Sequence, residues 1–216
     1  MQEPFYVWEF PVRLCHWINV IAVVTLSMTG YYIGNPMVQG EAGIPLMHWA
    51  RLVHFSFAYV LLISVLVRSI WFFIGNRYSS WRMFFPWATK KGRANAKKFF
   101  DFYTFTSRAV PYEVGHNALA CMAYAGVFTL YIVQIVSGFT LYGQLSPGGF
   151  WDTLFGPLLS GIGNQTLRLT HHMAMYLLWG FVINHLYSAW LMDLKEKNGT
   201  VSSMFGGYKY IDPEEL

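Results

Sequence analysis

Three times in 216 residues the chain carries Arg-Leu-x-His: Arg13-Leu14-Cys15-His16, Arg51-Leu52-Val53-His54 and Arg168-Leu169-Thr170-His171. Each copy opens a long apolar run. On a helix, residues three apart share a face, so each arginine stands about one turn nearer the membrane surface than its histidine. An imidazole just inside a bilayer with a cation above it suits a haem. The ring ligates iron and the guanidinium faces a propionate. The competing reading is an interfacial arginine extending its head to water beside a packed histidine. One copy would favour that second reading; three at helix entries favour haem.

The elements that must position these residues are transmembrane helices. The chain is 55% hydrophobic and 12% charged, with nine Trp, 14 Tyr and 18 Phe, and its mean hydropathy is +0.34. Four runs, approximately 15–34, 51–74, 117–142 and 168–192, are long enough to span a hydrocarbon core, which takes roughly 20 helical residues. The expected fold is all-α, an integral membrane four-helix bundle formed as a single domain over 1–216. No cleavable signal peptide is read before the first span. Cys15 and Cys121 fall inside spans one and three without CxxC or CxxCH spacing, which excludes covalent haem attachment and reads as two small buried residues.

Charge orients the spans. The connection between spans two and three carries Arg77, Arg82, Lys90, Lys91, Arg93, Lys97, Lys98 and Arg108, and the tail adds Lys195, Lys197 and Lys209. The positive-inside rule puts both termini and the 76–116 segment in the cytoplasm. That segment interleaves its cations with Trp81, Phe84, Phe85, Trp87, Phe99, Phe100 and Phe102, a composition that lies along a membrane surface. It accounts for the basic pI, so a nucleic-acid partner is not needed. The outer connections are a short Gly- and Pro-rich loop (Gly40, Gly43, Pro45) and a partly embedded loop over 144–167. Their only cations, Arg51 and Arg168, both belong to the repeated pattern.

Helical phase and depth then pair the histidines. His171 and His185 are 14 residues apart, which places them about 40° from each other around a helix and about 21 Å along it. One helix thereby serves two stacked haems. His172 points roughly 140° from His185, which makes His171 the ligand and His172 its neighbour, as a hydrogen-bonding or propionate partner. His54 enters span two on the same outer side as His171. His16 enters span one on the cytoplasmic side, matching His185. The outer pair is therefore His54 and His171, the inner pair His16 and His185. His48 falls outside the core. His116, beside Asn117 at the start of span three, has two readings: a proton donor or acceptor beside a quinone headgroup, or a residue of the helix cap.

With these residues assembled, the chain resembles the b-type cytochrome subunit of membrane-bound nickel–iron hydrogenases, a family grouped with the dihaem cytochromes of formate dehydrogenases. The resemblance runs through Phe10-Pro11-Val12-Arg13-Leu14-x-His16-Trp17, Thr29-Gly30-Tyr31-Tyr32-Ile33-Gly34 and Arg51-x-x-His54-Phe55-x-x-Ala58-Tyr59. It continues in Tyr112-x-Val114-Gly115-His116-Asn117-x-Leu119-Ala120, His171-His172 with His185, and Val201-Ser202-Ser203-Met204-x-x-Gly207-Tyr208. It implies two b haems on His16, His54, His171 and His185. It also implies a bacterial inner-membrane location and iron–sulfur small and large hydrogenase subunits as periplasmic partners. Electrons then pass through the outer and inner haems to the quinone pool. The chain itself would not cleave H2. Two rivals remain: a stand-alone or formate-dehydrogenase-type dihaem cytochrome b, and a haem-free anchor or channel whose histidines bind a metal ion.

Overall fold

Long apolar runs uninterrupted by proline satisfy their backbone groups internally only as helices, and the chain follows that rule. The computed structural model describes residues 2–36, 46–109, 111 and 113–212. The expected outer loop with Gly40, Gly43 and Pro45, together with Tyr112 and the last four residues of the tail, lies outside them. Four long helices are present: α1 (Phe10–Gly34), α2 (Leu46–Ile74), α4 (Ala118–Gly143) and α6 (Asn164–Glu196), with α3 (Lys90–Tyr103) between α2 and α4 and α5 (Phe150–Ile162) between α4 and α6. Among the described residues, α1, α2 and α4 are long and apolar enough to cross a membrane by length and composition. α6 is the longest at 33 residues. Its apolar character is diluted by Asn184 and by Arg168, His171, His172 and His185, the last four being positions that carry candidate chemistry.

The helices keep apolar side chains on their outer surface. On α2 the exposed residues include Ile63, Leu66, Ile70 and Phe73, a stripe at three- and four-residue intervals that fits hydrocarbon rather than water.

The all-α expectation needs one amendment. β1 (Glu3–Tyr6) pairs antiparallel with β2 (Tyr208–Ile211), in the register Glu3↔Ile211, Pro4↔Tyr210, Phe5↔Lys209 and Tyr6↔Tyr208. The tail after the fourth span folds as α7 (Ser203–Gly206) followed by β2. The 144–167 loop likewise contains α5, which ends at Gly163 in the left-handed region (φ +82°), where the missing Cβ removes the steric cost.

The chain divides into two compact units. The first comprises residues 1–13, 68–130 and 177–216; the second comprises 14–67 and 131–176. In the first, α3 is capped by the Thr89 hydroxyl, which accepts the Gly92 N–H at 3.0 Å. It buries Phe99 and Phe102 against Met192 and turns its lysines outward. The sheet side of this unit buries Val7, Trp8 and Ile211. The Trp8 indole donates to Ser203 Oγ at 3.1 Å, and the N–H groups of Val7 and Trp8 both reach the Gly207 carbonyl. In the second unit, Trp151 of α5 stacks on Phe139 of α4 with centroids 4.0 Å apart, and its indole N–H donates to the Tyr59 hydroxyl of α2 at 2.7 Å.

Candidate functional site

The second unit contains His54 of α2 and His171 of α6, and each ring is held in the same way. Thr29 on α1 donates its hydroxyl hydrogen to the carbonyl of Thr25, one turn back, at 2.7 Å. That commitment leaves the Thr29 oxygen as an acceptor, and His54 Nδ1 lies 3.0 Å from it. Ser137 on α4 repeats the arrangement: its hydroxyl donates to the Val133 carbonyl at 2.5 Å, and His171 Nδ1 lies 2.8 Å from its oxygen. In each case the ring must supply the proton from Nδ1. The neutral tautomer so fixed has a bare lone pair on Nε2, which leaves that nitrogen free to ligate a metal.

The residue after each hydroxyl is glycine, for a steric reason. A Cβ on Gly30 would stand 3.0 Å from His54 Cε1, and one on Gly138 would stand 3.1 Å from His171 Cε1. Both separations are tighter than ordinary carbon contact, so the hydroxyl–glycine pair lets the imidazole lie against the neighbouring helix while its Nδ1 is bonded. His172 is fixed differently. Its Nδ1 donates to the Arg168 carbonyl at 2.8 Å, and its Nε2 lies where a Cβ on Gly34 would approach to 3.0 Å. His54, His171 and His172 lie within electrostatic range of one another.

These features fit a haem iron. Bis-imidazole ligation takes two neutral rings with Nε2 available and Nδ1 anchored; His54 and His171 meet that description through side-chain hydroxyls, and His172 meets it through a backbone carbonyl. Among the described residues no three His, Cys, Asp or Glu side chains converge on a metal position.

The arginines differ among themselves. Arg51 is exposed at the start of α2. Arg168 is exposed too, its Nε donating to Asn164 Oδ1 at 2.7 Å. Arg13 belongs to the first unit, where its Nη1 donates to the Phe205 carbonyl and its buried Nε is left without a hydrogen-bond acceptor.

The remaining candidates are described unit by unit. His16, in the second unit, sets its ring edge-on to Trp17 at 5.2 Å. His185, in the first, stacks on Phe181 at 5.4 Å. His116 of the first unit packs between Trp8 at 4.6 Å and Tyr124 at 5.7 Å. Asn117 Oδ1 accepts the Ala120 N–H at 2.8 Å and so caps α4, a structural task for that side chain. His48 is exposed. Cys15 and Cys121 are buried and free.

Sequence reasoning missed two sets of residues. The first is Thr29, Gly30, Ser137 and Gly138; the signal was a hydroxyl–glycine dipeptide inside an apolar span. The second is a polar knot in the first unit around Arg68 and Glu9. Arg68 is 5% exposed within α2. Its Nε donates to the Tyr124 hydroxyl at 3.0 Å and its Nη2 to the Ser79 carbonyl at 3.1 Å, and its guanidinium lies 4.3 Å from the centre of the Phe72 ring. Glu9 Oε2 accepts from the Trp71 indole, the Asn76 N–H and the Ser79 hydroxyl at 2.8–3.0 Å. Burial pushes the Glu9 carboxyl up, but those three donors and the Arg68 charge together hold it below its ordinary value.

Comparison with known proteins identifies the family of the chain. The family model described as prokaryotic cytochrome b561 matches residues 7–207. A probable Ni/Fe-hydrogenase B-type cytochrome subunit of Cupriavidus necator is 36% identical over 210 residues, covering 94% of this chain and 86% of the relative. The probable Ni/Fe-hydrogenase 1 B-type cytochrome subunit of Escherichia coli K12 is 33% identical over 215 residues, covering 94% and 90%. The corresponding protein of Rhizobium leguminosarum bv. viciae is 32% identical over 220 residues, covering 99% and 92%.

Proposed function

The chain belongs to the prokaryotic cytochrome b561 family, and on that footing we propose that it is the membrane electron-transfer subunit of a nickel–iron hydrogenase. Relatives that match it over 86% and 90% of their own length are named as probable Ni/Fe-hydrogenase B-type cytochrome subunits. When bound, haem b supplies a one-electron couple at its iron. The observation that carries the reading is the matched pair His54 and His171, each with Nδ1 anchored on a hydroxyl and Nε2 left for a metal.

In this reading, His54 and His171 hold the outer of two haems. Thr29 and Ser137 orient the rings, Gly30 and Gly138 give them room, and His172, Arg51 and Arg168 lie on the side where propionates and water meet. His16 and His185 hold the inner haem, an assignment that rests on residue type, helical phase and depth. The four long helices then form an inner-membrane bundle with both termini in the cytoplasm, and the hydrogenase subunits dock from the periplasm. A quinone is the acceptor, and His116 is the candidate to exchange a proton with it. Asn117 serves that region by capping the helix that presents His116.

The test is to solubilise the membranes gently and isolate the tagged chain. A nickel-containing partner should copurify, and H2 should reduce the b-type absorption of the complex. A chain that purifies without nickel from H2-oxidising membranes, and whose haem H2 leaves oxidised in those membranes, would favour the stand-alone cytochrome.

A further inference from the structure

Electron transfer leaves a groove of the first unit unused. Phe72 of α2, Trp81 and Phe84 of the short 3-10 turn after it, and Gly126 and Phe128 of α4 line an apolar trough of about 520 Å³. A second hollow of about 330 Å³ adjoins it through the shared Phe72 and Trp81, and Arg77, Ser80 and Arg82 edge that one. The trough has a packed aromatic floor. Phe72 and Phe84 are both 8% exposed and their ring centres are 4.5 Å apart, with Phe128 at 5.0 Å from Phe72. The edge is open, since Arg77 and Arg82 are exposed and Trp81 is 46% exposed.

A cationic edge continuous with an apolar trough complements an amphiphile that has an anionic head and a hydrocarbon tail. Guanidinium groups take phosphate oxygens in paired hydrogen bonds, and the trough offers no comparable polar donors to a tail. The charge around it has the same sign: residues 76–116 hold eight Lys and Arg against Asp101 and Glu113. The hollow begins where α2 ends at Ile74, the level at which a span meets headgroups, and basic residues there attract anionic lipid. We propose that this groove binds one anionic phospholipid, its phosphate on Arg77 and Arg82 and an acyl chain along Phe72, Phe84 and Phe128.

Gly126 makes the proposal testable from the other end of the groove. A Cβ there meets nothing within 4 Å and the residue lines the trough, so the bulk of a tryptophan is placed to fill it. The protein is placed in nanodiscs of equal phosphatidylglycerol and phosphatidylethanolamine, released, and its retained lipid identified by native mass spectrometry. The parent should keep one phosphatidylglycerol. Removing both charges (Arg77→Gln with Arg82→Gln) should weaken that retention about thirtyfold, roughly fivefold per arginine. Gly126→Trp should also abolish it, while Lys90→Gln with Lys91→Gln, whose residues do not line the groove, should not. The b-type absorption spectrum checks that each variant is folded, and because the groove touches no candidate ligand it should not move. Equal retention of the two lipids, unchanged retention in either groove variant, or a quinone as the molecule that Gly126→Trp displaces would each overturn the proposal.

Discussion

Ser137→Ala is the perturbation whose consequences follow most directly from the geometry. It deletes the oxygen that lies 2.8 Å from His171 Nδ1. The Val133 carbonyl loses the hydroxyl donor but keeps the helical N–H of residue 137, so the cost falls on the histidine. Its ring then has two poor options. It can keep Nδ1–H without an acceptor, at about 1–3 kcal/mol for a buried orphan donor. Or it can move the proton to Nε2 and give up the nitrogen that binds iron. Loss of such an outer partner typically weakens metal binding 10- to 100-fold. Where haem is retained, the imidazole becomes a weaker electron donor and stabilises ferric iron less. A differential of about 0.5–1.5 kcal/mol, the net worth of one hydrogen bond, raises a one-electron potential by roughly 20–60 mV. A redox titration of the purified complex, followed at the reduced b-type absorption band, reads this directly. Ser137→Thr, which restores the hydroxyl, should return the potential toward the parent. An Ala variant with full haem content and an unshifted potential would refute the role given to Ser137.

The remaining expectations concern sterics, acidity and the matching ring. Gly30→Ala and Gly138→Ala each put a methyl group within about 3 Å of an imidazole carbon, so both should lower haem content, as a pyridine haemochrome assay would measure; normal content in both would mean the rings have slack. Thr29→Val should act on His54 as Ser137→Ala acts on His171, with a potential shift of the same sign; a downward shift would contradict the shared logic. Glu9 has a carboxyl held below its ordinary pKa of 4.5, which adds stability above that pH and loses it as the pH falls through the folded value. The melting temperature of the solubilised protein should therefore drop on acidification below about pH 5, and Glu9→Gln should flatten that part of the profile and lower the neutral-pH value. An identical acid limb in the variant would count against the network.

Much of this protein is legible in its sequence because lipid leaves a chain few choices. Apolar runs interrupted by Asn35-Pro36 and Gly75-Asn76 could only be helices, and the structure places α1, α2, α4 and α6 over the four expected runs. Histidines inside such runs stand out because burying them is costly without a task. Local packing was not legible. The roles of Thr29 and Ser137 depend on which helix lies alongside, and a hydroxyl in an apolar span usually bonds its own backbone, as both of these also do. Arg68 hid among the apolar residues of α2; only the folded first unit shows it anchored by Tyr124 and Ser79. The four-residue strands are too short for a periodic signal. In β2 the alternation even buries Lys209, at 4% exposure, and exposes Tyr208 and Tyr210. Burial pushes the Lys209 amine below its ordinary value, against the opposing attraction of Glu196 and Asp193.

We propose that His54 and His171 hold one haem b and that a second haem is held elsewhere on the chain. A haem count per polypeptide, made with the reduced-minus-oxidised spectrum on the parent and on His171→Ala, tests it most directly. The parent should hold two b haems and the variant one, with the surviving haem keeping a bis-histidine spectrum. Two haems in both proteins, or none in a parent purified from haem-replete cells, would contradict it.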